Sequence, residues 1–188
     1  MSTTSQPFGV RPAYHPSGVV RPTAFTIRNG YGSNILQNQT VRIVPSSTGE
    51  GTLEANAVNE AFIGVFQGVE FTDSDGRRRV SNKWTANQVG TDIVAYATLD
   101  PAIVYEVQAN GSLGVDSIGK QFDLVSVSAG NTTTGLSQAV LDTGSAAANA
   151  AFRVIGVANG PDNAWGDNYT IVQVQISEHQ MVADKAAF

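Results

Sequence analysis

The residues from Gly114 to Gln121, GVDSIGKQ, satisfy seven positions of a phosphate-binding loop and would place Lys120 against a β- or γ-phosphate. The eighth position should carry a hydroxyl to hold magnesium, and Gln121 has none. Such a loop must also open a helix whose amides face the phosphates, whereas the following QFDLVSV alternates like a strand. GYGSNI, from Gly30, has two glycines of a dinucleotide fingerprint but not the third, and reads as a turn.

Other chemistry is equally thin. The chain has no cysteine, so it has no disulfide framework, thiolate metal site or thiol nucleophile. Its two histidines, His15 and His179, lack metal-ligand partners at usable spacing. His15-Pro16-Ser17 reads as a turn rather than part of a triad, and no Gly-x-Ser-x-Gly elbow occurs. The expectation is a protein that is not an enzyme, with no catalytic, cofactor-binding or metal-binding residues.

FQGVEFTDSDGRRRVSNKW, Phe66 to Trp84, sets three arginines after an acidic glycine turn in a chain of net charge −5. A strand to Phe71, the turn Thr72 to Gly76 and onward alternation predict a β-hairpin with an Asp-Gly turn. A calcium loop would need an oxygen where Arg77 stands. A single phosphate clamp fails because consecutive strand residues point to opposite sides. Two readings remain: a solvated hairpin with internal Asp–Arg pairs, or a protein-contact hairpin, since arginine is enriched at interfaces. In the second, Arg77 and Arg79 face a carboxylate-bearing partner while Arg78 lies on the body with Val80, Asn82 and Trp84.

The elements that must position these residues are strands. AFTIRN, TVRIV, IGVFQGVEF, TDIVAYATL, AIVYEVQAN, FDLVSVSAG and YTIVQVQIS alternate and are bounded by turn residues. No amphipathic helix stands out, and the Ala-rich Ser145 to Phe152 window is too short to nucleate one. The expected fold is all-β, a sandwich or distorted barrel of short antiparallel strands. Ile63-Gly64-Val65 and Ile155-Gly156-Val157 echo one another, as two similar hairpins would.

Pro7, Pro12, Pro16 and Pro22 punctuate the start, which reads as an extended arm over residues 1–23. A single β domain over 24–177 and a short tail over 178–188 complete the expected organisation. Arm residues Phe8, Val10, Arg11, Tyr14, Val19, Val20 and Arg21 alternate apolar and basic character, and are expected to lie across a neighbouring subunit. Charged residues make up 14% of the chain against about 25% in ordinary domains. With no concentrated basic footprint, a nucleic-acid partner is not expected. No apolar run reaches the roughly 18 residues that span a bilayer, and no signal peptide is read at the start, so a membrane is not expected either.

FGVRPAYHPSGVVRP, GVFQGVEFTDSDGRRRVSNKW, VYEVQANG and NAWGDNYTIVQVQISEHQMVADK together resemble a family of small virion structural proteins of tailed bacteriophages, head decoration or cement proteins. The resemblance implies a chain made in the host cytoplasm and placed on the capsid surface. Its implied partners are major capsid protein and copies of itself, which it bridges to stabilise the shell. Two rival readings stay open: a phage tail, neck or fibre component, and a glycan-binding adhesion module with Trp84, Trp165 or Tyr169 as sugar platforms.

Overall fold

Alternation becomes pairing along the whole chain in the computed structural model, which describes residues 2–45, 51–58 and 60–183. Ile171–Ile176 shows why: Val172, Val174 and Ile176 are buried while Ile171, Gln173 and Gln175 between them are only half-buried.

The strands in chain order are β1 (Arg11–Tyr14), β2 (Pro22–Phe25), β3 (Ile35–Leu36), β4 (Thr40–Pro45), β5 (Gly51–Ala55) and β6 (Gly64–Thr72). Next come β7 (Arg78–Ser81), β8 (Lys83–Trp84), β9 (Thr91–Thr98), β10 (Val104–Gln108), β11 (Gln121–Phe122) and β12 (Leu124–Val125). The last are β13 (Gly130–Asn131), β14 (Leu136–Ser137), β15 (Val140–Leu141), β16 (Phe152–Val157) and β17 (Ile171–Ile176). A five-stranded antiparallel sheet runs β1-β10-β17-β16-β11. A six-stranded one runs β2-β9-β6-β4-β5, with β7 also pairing β6. Neither closes into a barrel among the described residues, so the all-β expectation holds in its sandwich form.

Each large sheet has its own core. Tyr105, Val107, Phe152, Val154, Val172 and Val174 fill the first. Phe66, Val69, Phe71, Trp84, Ala95 and Ala97 fill the second. The segment entering β6 serves both, with Phe62 and Val65 in the first core and Ile63 and Phe66 in the second. Period-two reading places Ile63, Val65, Val69 and Phe71 on one face, but Val65 lies in the first core and the others in the second. The register shift between Phe66 and Gly68 separates Val65 from Val69 and Phe71, and Ile63 precedes the strand. Gly64 is required here, because a Cβ on it would overlap the Thr98 carbonyl oxygen.

The residues expected to form an arm are instead woven into the body. Backbone hydrogen bonds anchor Ser2 to Asp162 and Tyr169, and Val10 to Asn38. β1 then pairs antiparallel with β10 at the edge of its sheet, where Pro12 is tolerated because an edge strand need not donate on both sides. FDLVSVSAG is likewise not one strand: after β12 the backbone turns at Ser126, whose φ of 58° lies in the left-handed region. The tail is also tied down as far as it is described, since Gln180 exchanges side-chain hydrogen bonds with both backbone groups of Ile43. The tail's last five positions, 184–188, lie outside the described residues.

Candidate functional site

The hairpin read from the sequence exists. β6 and β7 pair with Thr72 opposite Arg78, and the turn closes through Asp73 N–H to Arg77 O and Gly76 N–H to Asp73 O, both 2.9 Å. Gly76 has φ +78°, and the Asp73 and Asp75 carboxylates accept the N–H groups of Ser74 and Arg77.

Every arginine in it has an acceptor within the molecule. Arg79 bridges Asp73 at 3.4 Å and Asp75 at 3.0 Å, and Arg77 lies 3.7 Å from Asp75. Arg78 reaches Glu70 at 3.3 Å and donates to the Asp92 carbonyl at 2.7 Å. The hydrogen bond from the Tyr96 hydroxyl, 2.7 Å from Glu70, holds the Glu70 carboxyl below its ordinary range, with Arg78 adding to the effect. The same contact raises the Tyr96 hydroxyl. The internal Asp–Arg pairs of the solvated reading are therefore present.

Facing is the reverse of the alternation argument. Phe71 opposite Arg79 puts Arg79 on the side of the second core, whereas Glu70 opposite Val80 puts Val80 with Arg78 on the outer face. Val80 is 82% exposed. The expectation that Val80 continues to Trp84 fails because the chain bends at Asn82, after which β8 pairs with β3 in a different sheet.

The expected N-terminal contact residues divide. Val10 is fully buried in the first core and offers no contact surface. Arg11 pairs with Glu106 at 2.5 Å and lies 4.9 Å from the Phe8 ring centroid, so both serve the body's own edge. Tyr14, Val19 and Arg21 are exposed, and Val20 packs half-buried against the first core. β1, which carries Arg11 and Tyr14, belongs to a different sheet from β7, whereas Arg21 immediately precedes β2 of the sheet that contains β7.

The remaining near-motifs resolve locally. Lys120 pairs with Asp116 at 2.7 Å, and the loop enters β11 rather than a helix. His15 Nδ1 lies 2.6 Å from Ser17 Oγ and its Nε2 lies 3.2 Å from Asp100 Oδ2. Sequence separation hides this grouping of serine, histidine and aspartate. Nδ1 also accepts the Ser17 N–H at 3.0 Å and the His15 carbonyl accepts the Gly18 N–H, which is the bonding of a capped turn. His179 is buried between the Leu99 carbonyl and the Met181 N–H. Trp84 is fully buried edge-on to Phe71, so it is no sugar platform, while Trp165 packs half-buried against the first core. Tyr169 is half-buried, and its N–H anchors Ser2. Among the described residues no group of three or more His, Asp or Glu side chains is placed to hold a metal ion. Comparison with protein-family models, with curated proteins and with solved structures finds no match to this chain.

Proposed function

We propose that this protein is a structural component of a tailed-bacteriophage virion that docks on the outside of the capsid and bridges major capsid protein subunits. The observation that carries this reading is β7, whose described pairing is to β6 alone and whose outward face presents Val80 at 82% exposure. A β-branched residue held this far from the core contributes nothing to the chain's own packing. An edge strand beside it offers backbone donors and acceptors to another chain. The arginines support docking differently from a free basic patch. Their charges are already matched by Asp73, Asp75 and Glu70, so covering the hairpin buries paired ions rather than lone ones.

The extended reach of a free arm is not needed for this role. Rigid strands lose little entropy on docking, and many copies sum a small burial into resistance of the shell. The test is co-sedimentation of the purified chain with assembled shells of major capsid protein. The Val80→Asp variant is expected to lose at least about tenfold in affinity while keeping its unfolding midpoint, because a charge is then desolvated at the contact. Equal binding of the variant, or no binding by wild type, overturns the reading.

A further inference from the structure

Segments from both halves of the molecule border a partly open cavity of about 590 Å³, within the range that holds small ligands. It lies at the seam between the cores, for Tyr31 packs in the second and Val127 in the first, and both line it.

The hydrogen bonding of its wall is one-sided. Tyr31 Oη accepts the Ala55 N–H at 3.2 Å, Asn34 Oδ1 the Ala86 N–H at 2.8 Å and Gln39 Oε1 the Leu36 N–H at 2.9 Å. Each acceptor end is thus pinned by the backbone, and planarity fixes the other end of each amide. No described residue accepts from Asn34 Nδ2 or Gln39 Nε2, and neither nitrogen is among the buried unpartnered atoms, so both remain open to a ligand. Asn56, 7% exposed, lines the same cavity, and its buried Oδ1 has no hydrogen-bond partner among the described residues. Buried polar groups without partners are uncommon in folded proteins and call for an explanation. Three residues with positive φ, Asn38 at 64°, Asn87 at 60° and Ser126 at 58°, adjoin the lining residues Gln39, Ala86 and Val127. Such backbone is retained where surrounding structure demands it.

We infer that this cavity binds an uncharged saccharide carrying an acetamido group. Two amide donors suit the acetamido carbonyl, and Asn56 Oδ1 is an acceptor of the kind its N–H requires. Among the described residues that line the cavity none is charged, which gives no counter-ion to an anionic ligand. Apart from Ala55 at the end of β5, whose N–H is already taken by Tyr31, the described lining residues lie in loops, which suits a compact ring better than an extended peptide. The inference uses no residue of the hairpin and does not rest on capsid docking.

The test is a titration of the full chain, followed by backbone amide shifts, with N-acetyl-D-glucosamine, N-acetyl-D-galactosamine, D-glucose, sodium acetate and N-acetylalanine amide. One acetamido sugar is expected to saturate, with shifts centred on Tyr31 to Asn34 and Ala55 to Val58, and to bind at least about tenfold more tightly than glucose. Asn34→Asp and Gln39→Glu keep the pinned oxygen and remove the donor, and each is expected to weaken binding about tenfold. Ala57→Trp, at an exposed position on the lining, is expected to abolish binding without changing the unfolding midpoint, and stands if either amide variant fails to fold. Binding of acetate or the peptide amide as tightly as the sugars, unchanged binding by Ala57→Trp, or no saturation by either acetamido sugar overturns the inference.

Discussion

Thr98 Oγ lies 2.9 Å from Tyr105 Oη, joining the last residue of β9 in the six-stranded sheet to β10 of the five-stranded sheet. The same Thr98 oxygen accepts the Val65 N–H at 2.9 Å, so one buried hydroxyl ties three strands at the boundary between the cores. Burial also pushes the Tyr105 hydroxyl far up, keeping it neutral and able to donate. Thr98→Val strands both the Val65 N–H and the Tyr105 hydroxyl and is expected to destabilise by about 2–4 kcal/mol. Tyr105→Phe leaves the Val65 bond intact and is expected to lose about 1–2 kcal/mol. Urea unfolding of both variants checks the order.

Deleting Met1 to Pro22 is expected to damage the fold and not merely remove a docking element. Val10 leaves the first core and β10 loses its edge partner. Burial of Val10 alone accounts for about 1.5–3 kcal/mol. A truncated chain whose unfolding midpoint matched the full chain's would show that this segment is an appendage.

The hairpin arginines are expected to differ in stability effect by pairing. Arg79→Ala removes contacts to two carboxylates and is expected to lose up to about 1 kcal/mol, whereas Arg77→Ala should stay within about 0.5 kcal/mol. Because the charges are matched internally, shell binding should depend only weakly on salt. A steep loss of binding from low to high ionic strength would restore the outward-facing pair inferred from alternation.

Glu70 supplies a pH marker. Its folded carboxyl titrates below the ordinary value of 4.5, mainly through the Tyr96 hydroxyl and then Arg78. A depressed folded value means that this contribution to stability is present above the unfolded value and disappears as pH falls through the folded one. Tyr96→Phe removes the larger cause, so the Glu70 titration, followed by carboxyl carbon shifts, should move up towards 4.5. No movement would assign the depression to Arg78.

Local chemistry settles in the sequence what depends on a few neighbouring residues. The Asp-Gly turn needs only Gly76 at positive φ and two carboxylates that bond the next amides, so the β6–β7 hairpin is legible from Thr72 to Arg78. Alternation in YTIVQVQIS marks a strand with one buried face, and enough such segments without a helix pattern establish an all-β chain. Alternation does not say which strand lies alongside, because backbone donors and acceptors are the same in every residue except proline. Only tertiary pairing could place β1 against β10, turn an apparent arm into an edge strand and bury Val10. A one-residue slip reverses faces, so the shift at Phe66/Gly68 and the bend at Asn82 also lay beyond pattern reading. The cavity is the extreme case: Tyr31, Gln39, Asn56, Ala86 and Val127 meet only because two sheets with separate cores share a seam. No spacing along the chain encodes that meeting, which follows from long-range strand pairing and the burial that drives it.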